Sequence, residues 1–536
     1  MESMFKLLYL KLRQHPQLGD LELFFVEDQE VNNIEKPYTS IVIGPNGSGK
    51  SYILRAIIEI LKEFSQLKDG TIDQIPSSWN VQLRYKYDSD VYEIFTKAFA
   101  TVDRNKKLKR DYIFLKNRPP NVSLYDTTKK VTIPLEIKTG FEITINELKL
   151  PAKILASSVF LNDRFPFADS DSGDFYQYLG VRRTASMAST KTFARKTVQY
   201  LYEASIDEGF NQSLKDILQF LGFEAFFTIT YNKRYSKLFF NGKLTNQRFR
   251  DFYERWWELK EFGVNRNRNN APWGEYYYQI ISKNNPSRIN DIVNFLNKIG
   301  NFYLKLGPQF SSPKRFIVDL FNFGFDKQDL QIIDDLEKLS ILTLDEIKII
   351  KKTNQISLED TSSGEYHLIL NFLGIFAKIQ SKSLILIDEP EISLHPNWQM
   401  RYITFLKNVF SKFSDCHFII CTHSHFLVSD LEGSTSSIIS LSRNVQTALI
   451  EAELLKKDTY AWSAEEVLLK VFKVPTTRNF YIADKLGEIL ELVSKSNRDD
   501  NLIKTKVEEL VALNIQNLSN EDPLKPVVNK LLQKYG

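Results

Sequence analysis

Gly44-Pro45-Asn46-Gly47-Ser48-Gly49-Lys50-Ser51 follows the β-branched run Ser40-Ile41-Val42-Ile43. After it, Ile53, Leu54, Ile57, Ile58 and Leu61 recur at helical spacing. The octet fits G-x-x-x-x-G-K-S/T, and a strand before it with a helix after it is the setting that pattern requires. Its glycines let successive backbone N–H groups curl around a phosphate, and the start of the following helix adds partial positive charge. Lys50 contributes a full charge, and the Ser51 hydroxyl is a ligand for Mg2+. The reading is therefore an α/β fold whose third strand runs into a nucleotide-phosphate loop. Asn46, Gly47, Ser48, Gly49, Lys50 and Ser51 are the expected nucleotide contacts. The plain alternative, a glycine-rich turn with no ligand, leaves the lysine and serine at their spacing to coincidence.

A second run decides what faces that loop. Ser383-Leu384-Ile385-Leu386-Ile387-Asp388-Glu389-Pro390 is a continuous apolar strand ending in two carboxylates. Strands buried on both faces of a parallel sheet read this way, without alternation. Read alone, the Asp-Glu pair is equally a solvated strand end. Beside a phosphate loop, Asp388 is expected to hold Mg2+, directly or through water. Glu389 is then the general base for an attacking water.

Upstream lies Thr361-Ser362-Ser363-Gly364-Glu365, opening the helical stretch Tyr366–Ile379. A serine hydroxyl and a glycine N–H at a helix start form an anion site. In isolation a helix cap is the simpler reading, because Ser-x-x-Glu caps are frequent. Beyond the acidic strand end come Ser393-Leu394-His395-Pro396. After the strand His417-Phe418-Ile419-Ile420-Cys421 come Thr422-His423-Ser424. A zinc site from Cys421, His423 and His425 is disfavoured, because no fourth ligand lies nearby in sequence.

In this order the five motifs resemble the ABC ATPase set: Walker A, signature, Walker B, D-loop and switch histidine. The resemblance covers roughly residues 1–60 and 340–430. It implies a chain that binds ATP and Mg2+ and pairs head to tail. Each ATP would lie between Lys50, Ser51, Asp388 and Glu389 of one copy and Ser363 and Gly364 of the other. Glu365 completes the expected nucleotide contacts. Glu389 and His423 are the expected catalytic residues, His423 through the γ-phosphate, whereas His395 is expected to shape the dimer contact. One departure stands out. No glutamine occupies the Q-loop position in Ser157-Ser158-Val159-Phe160-Leu161-Asn162-Asp163-Arg164. Asn162 or Asp163 would substitute there.

More than three hundred residues separate Ser51 from Asp388, too many for a transporter's helical subdomain. With a Thr-Ser-Ser-Gly-Glu signature, the chain resembles the SMC, RecF and OLD-type branch. Looser stretches, Tyr176–Arg183 and Tyr460–Leu468 followed by Val471–Pro475, resemble the ATPases of bacterial anti-phage systems, the PtuA group of Septu and its retron relatives. That resemblance implies a homodimer or higher even oligomer. It also implies control of a separate HNH-type effector nuclease encoded nearby. The alternative is a RecF- or SMC-like DNA-repair ATPase without a toxic effector.

The remaining sequence sets bounds. Two cysteines in 536 residues cannot build a disulfide framework, so a reducing cytoplasm is the expected home. No apolar run reaches the length of a membrane helix, about 20 residues. A net charge of +4 leaves nucleic acid (DNA, or retron RNA and DNA) open as a partner without demanding it. Basic candidates are Arg104–Arg110 and the Arg- and aromatic-rich stretch Arg248–Arg268. The alternatives are a solvated loop and a packed helix. No nuclease constellation is recognised: Asp126 with Glu136-Ile137-Lys138 reads as a β-hairpin, Asp169-Ser170-Asp171 as a loop, and Arg498-Asp499-Asp500 as part of a polar helical stretch.

The expected organisation has four parts. Residues 1–165 form the first half of the head with a β-lobe, and 166–335 a mainly helical insertion. Residues 336–450 form the second half of the head, and 451–536 a helical region suited to partner docking.

Overall fold

The computed structural model describes residues 4–26, 36–72, 79–102, 108–117, 141–160, 163–167, 175–180, 190–205, 207, 209–261, 272–306, 314–321, 325–429, 431–444, 447, 449–455, 459, 462–472, 480–494, 499–513, 515, 518, 522 and 524–535. Two compact units are present, Met1–Asp458 and Thr459–Gly536.

The first unit opens with the hairpin β1 (Phe5–His15) and β2 (Gly19–Phe24), then β3 (Tyr38–Ile43) and helix α1 (Lys50–Lys68). Strands β4 (Asn80–Tyr87), β5 (Asp90–Val102), β6 (Leu108–Lys116), β7 (Phe141–Ile143), β8 (Ile154–Ser158) and β9 (Tyr176–Tyr178) follow. Then come α2 (Thr190–Ala204), α3 (Phe210–Phe220), β10 (Phe227–Lys233), α4 (Ser236–Phe239), α5 (Asn246–Glu261), α6 (Pro272–Tyr276), α7 (Arg288–Leu306), β11 (Arg315–Asp319) and α8 (Lys327–Lys338). The hairpin β12 (Leu342–Lys351) and β13 (Asn354–Ser357) leads into α9 (Ser363–Lys378), β14 (Leu384–Asp388), α10 (Pro396–Val409) and β15 (His417–Thr422). Strands β16 (Ser436–Arg443) and β17 (Ile450–Leu455) close the unit.

Three sheets result. The seven-stranded sheet has the order β17-β16-β3-β15-β14-β8-β9. Its pairings are parallel except for β17 against β16. Every residue of β3, β8, β14 and β15 is buried, as expected of strands covered on both faces. Register then fixes the site. Ile43 lies opposite Thr422, and Asp388 lies opposite both Cys421 and Ser158. The residues after β3, β8, β14 and β15 therefore emerge along one edge, the carboxyl ends where open α/β sheets bind ligands.

A six-stranded antiparallel sheet, β2-β1-β4-β5-β6-β7, forms the β-lobe. The strand that the alternating pattern of Val131–Ile137 suggests lies outside the described residues. The stretch with helical periodicity contains α2, α3, α5 and α7, but β10 and β11 interrupt it and join β12 and β13 in a four-stranded antiparallel sheet. Phe227-Thr228-Ile229-Thr230-Tyr231 is all β-branched or aromatic, a composition that favours a strand over the helices on either side. Residues 342–351 form one strand, its register shifting opposite Thr230 and Tyr231.

In the second unit, α11 (Ala464–Lys470), α12 (Phe480–Ser494), α13 (Asp500–Ala512) and α14 (Lys525–Tyr535) are present. Ile489, Ile503, Val507, Leu510 and Val528 bury their side chains in its core. The head sheet runs through β17 to Leu455, so the boundary falls beyond residue 450. No described helix is long and apolar enough to cross a membrane.

Candidate active site

The loop between β3 and α1 has the geometry of an anion cradle. Gly49 has φ of 87°, a left-handed conformation, and a Cβ there would sit 2.5 Å from Leu18 Cδ2, so only glycine fits. It caps α1 without a side-chain acceptor, leaving the first-turn N–H groups uncapped by any side chain. Ser48 Oγ is buried without a hydrogen-bond partner. The ammonium of Lys50, 4% exposed, donates to the carbonyls of Gly44 (2.9 Å) and Pro45 (3.3 Å). Burial lowers its pKa, and the nearby Cys421, Glu389 and Asp388 pull it back up.

Asp388 ends β14 facing the start of α1. It is 3% exposed, and the Ser51 hydroxyl donates to its carboxyl group. Burial pushes its pKa up to about 7. The Ser51 bond and Lys50 oppose the rise, while Glu389 and Asp163 add to it. Its Oδ1 is buried with no partner. A buried carboxylate oxygen left unpaired is costly unless a cation meets it. The donors in reach, Ser51 Oγ and Asp388 Oδ1, are hard oxygens that suit Mg2+. No cluster of three or more His, Cys, Asp or Glu able to hold a metal exists among the described residues. Such a site would thus take its other ligands from phosphate and water.

Glu389, with φ of 49°, is one of the few non-glycine residues in the left-handed region, a conformation that concentrates at functional sites. Its N–H donates to Cys421 O at 2.9 Å. Its Oε1 lies 3.4 Å from His423 Nε2, and His423 Nδ1 lies 3.4 Å from Lys50 Nζ. An ammonium only donates, so Nδ1 is the acceptor and Nε2 carries the ring proton toward Glu389. Lys50, His423 and Glu389 thus form one line beside Asp388.

Ser362 is the N-cap of α9, at the Ser-x-x-Glu spacing to Glu365, and its side chain accepts from Glu365 N–H at 3.3 Å. Glu365 Oε2 accepts from Ser362 N–H at 3.0 Å, and its Oε1 pairs with Lys351 Nζ at 2.5 Å. Both its oxygens are committed to holding the helix start, and the residue is buried. Ser363 is exposed, and Gly364 packs so closely on the D-loop that a Cβ would lie 2.1 Å from Ser393 O. No hydrogen bond or ion pair among the described residues links Ser363 or Gly364 to Lys50, Asp388, Glu389 or His423.

Of the two Q-loop substitutes, Asn162 lies outside the described residues. Asp163 is close enough to Asp388 to raise its pKa, but its oxygens accept from Tyr178 Oη (2.5 Å) and Phe165 N–H (3.0 Å). Its neighbour Arg164 sets its guanidinium over the Tyr52 ring, 5.6 Å from the centroid. His395 caps α10, its Nδ1 accepting from Asn397 N–H at 3.3 Å. Cys421 is wholly buried, and burial pushes its thiol well above the ordinary range. Sequence reading passed over Glu391, whose carboxylate accepts from His423 N–H at 2.6 Å. The available signal was a third acid two residues beyond Glu389.

Other candidates fare unevenly. Within the Arg248–Arg268 stretch, Arg248 and Arg255 are exposed, but Phe249 and Tyr253 are fully buried. Tyr253 stacks on Tyr277 at 4.4 Å, so these two rings are core and are not open to bases. Arg104–Lys107, Asp126, Glu136-Ile137-Lys138, Asp169-Ser170-Asp171, Val181–Arg183, Tyr460-Ala461, Lys473–Pro475 and Arg498 lie outside the described residues. Asp499 accepts from the N–H groups of Asn501 and Leu502 as the cap of α13.

The Retron Vc95 probable ATPase of Vibrio cholerae serotype O1 biovar El Tor is 23% identical over 421 residues, covering 75% of this chain and 69% of that protein. The Septu protein PtuA of Bacillus thuringiensis is 23% identical over 193 residues, covering 33% of this chain and 48% of that protein. Among solved structures, the SMC head domain from Thermotoga maritima aligns with a TM-score of 0.34 at 13% identity, covering 84% of this chain and all of that one. A model of the AAA ATPase domain (AAA_15) matches residues 26–428, from just after the first hairpin to just past His423. With that match spanning most of its length, the chain belongs to the AAA ATPase domain family.

Proposed function

We propose that the chain binds ATP with Mg2+ at the carboxyl edge of the seven-stranded sheet, hydrolyses it between two head-to-tail copies, and thereby regulates a separate effector nuclease in bacterial anti-phage defence. The observation that carries the reading is Asp388. A buried carboxylate with an unpartnered oxygen, one hydrogen bond from Ser51 and close to Lys50, is set for a divalent cation and its phosphates.

In this reading the uncapped N–H groups at Gly49 and the Lys50 ammonium bind the β- and γ-phosphates. Ser51 and Asp388 would hold Mg2+, which would supply charge neutralisation. Glu389 Oε1 accepts the proton of the attacking water, and the Nε2–H of His423 orients that carboxylate until the water arrives. The exposed Ser363 hydroxyl and the α9 N-terminus contribute to the γ-phosphate of the other copy, which accounts for their lack of contact with the site of their own chain. Regulation of an effector, rather than work on DNA alone, is supported by relatives named for a retron and a Septu system.

The test is Glu389→Gln. Removing the base should lower turnover by about 100- to 10,000-fold while leaving ATP bound. Light scattering should then show paired chains with ATP and single chains with ADP. Ordinary turnover by this variant would remove Glu389 as the base. A single-chain mass with trapped ATP would remove the pairing.

A further inference from the structure

We propose that Glu391 is a positioning residue that holds His423 in line with Lys50 and Glu389 by accepting its backbone N–H. The proposal rests on the reading of this edge as the ATP site.

His423 is the first residue past the sheet pairing of β15, which ends with Thr422 opposite Ile43. Its N–H is therefore outside the ladder, and Glu391 Oε1 accepts it at 2.6 Å. The next residue is gripped from the same side. Ser424 Oγ donates to Gln399 Oε1 at 2.6 Å, and Gln399 Nε2 donates to Leu394 O at 2.9 Å and Glu391 O at 3.4 Å. Leu394 N–H returns to Glu391 O at 3.0 Å. Two successive residues of the histidine turn are thus tied, through two side chains on one segment, to the D-loop backbone.

That segment is itself under constraint. Ser393 has φ of 64°, and its carbonyl packs directly against Gly364. A displacement at buried Gly364, beside the exposed Ser363, therefore reaches His423 through one carbonyl contact and one side-chain bond. Burial raises the pKa of Glu391, with the charge of Glu389 adding to it, and the His423 N–H opposes the rise. One oxygen of the carboxylate is committed to a backbone N–H of the turn, a contact that fixes the position of His423.

The experiment uses the full chain with Glu391→Ala, Glu391→Gln and Ser424→Ala. Turnover is measured together with affinity for a fluorescent ATP analogue. Loss of a charge-assisted hydrogen bond predicts a fall in kcat on the order of 10- to 100-fold for Glu391→Ala. Affinity should stay within about threefold, because the bond does not touch the nucleotide. Glu391→Gln keeps an oxygen acceptor and should recover most of the lost kcat, while Ser424→Ala, which loosens the second tie, should lower kcat less. The proposal is overturned if Glu391→Gln is as impaired as Glu391→Ala, since charge and not acceptor geometry then matters. It is also overturned if Glu391→Ala turns over normally, or if it loses affinity in proportion to kcat. Lys50→Ala, measured alongside, separates the two readings. Analogue binding unaffected by that change overturns the nucleotide site itself, and this proposal with it.

Discussion

Replacing Asp388 with asparagine should make the nucleotide-free protein more stable at alkaline pH, although it removes a residue assigned to the active site. The carboxyl is 3% exposed and its pKa stands at about 7 against an ordinary 3.8, a shift of about three units. At 1.36 kcal/mol per unit, holding the charge at about pH 8 costs the folded state about 4 kcal/mol. Asparagine removes that cost. Its amide N–H2 would face the position of the unpartnered Oδ1, which returns about 1–2 kcal/mol. The net gain is about 2 kcal/mol, or about 2–4 °C in Tm for a unit of this size.

The pH dependence follows from linkage. The folded-state pKa lies above the unfolded one, so the folded chain holds the proton more tightly. That stabilisation is complete below about pH 3.8 and lost as pH rises through about 7. At about pH 5 the wild-type group is already protonated when folded, and the advantage of Asp388→Asn should shrink toward zero. Differential scanning calorimetry at both pH values, with and without Mg-ATP, makes the comparison. Wild type at about pH 8 should gain about 3 kcal/mol from Mg-ATP at a hundred times its Kd, and Asp388→Asn much less. A variant less stable than wild type at alkaline pH, or an advantage that persists in acid, would refute the buried-charge account.

Two further changes test the corner where α9 meets the D-loop. Ser363→Arg puts a long side chain on an exposed position, so each chain should fold and bind ATP normally; pairing, followed by light scattering, and turnover should both be lost. Gly364→Ala brings a Cβ to 2.1 Å from Ser393 O. Relief of that overlap should cost about 1–3 kcal/mol, read as a lower Tm, with a fall in turnover as the D-loop shifts.

The phosphate loop and the acidic strand end were legible because each motif is continuous in sequence and its neighbours share its burial. Every position in β3 and β14 is buried, so an apolar run with no alternation has one simple reading. Ser-Ser-Gly-Glu was less legible. The Ser-x-x-Glu spacing points to the Ser362 cap, but the commitment of Glu365 also depends on Lys351, fourteen positions away on another element, which local pattern does not carry. The strand β10 was hidden for a different reason. Phe227–Tyr231 has strand composition, but a five-residue β-type run flanked by helical periodicity loses to its surroundings until β11 and β12 are available to pair with it.

Charge at the sheet edge explains why one chain is an incomplete hydrolase in the proposed mechanism. Asp388, Glu389 and Glu391 crowd the edge, and each adds to the coulombic environment of Lys50. His423 turns Nδ1 toward the Lys50 ammonium and Nε2 toward Glu389. A nucleotide triphosphate would bring further negative charge, met within the chain by one lysine, the N–H groups of α1 and a divalent cation held by Ser51 and Asp388. The remaining favourable dipole is the N-terminus of α9, with Ser363 exposed beside it. Glu365 occupies that helix start with a cap and an ion pair, yet its carboxylate is turned to Ser362 N–H and Lys351 and away from the exposed serine. The capping acid therefore stiffens the corner without filling it. Among the described residues, the corner that could balance the γ-phosphate makes no hydrogen bond or ion pair with Lys50, Asp388, Glu389 or His423 of its own chain, and Gly364 packs on Ser393 of the segment that holds His423. On this argument, binding by the second copy and alignment of the histidine are one event, and turnover should rise with protein concentration more steeply than ATP binding does.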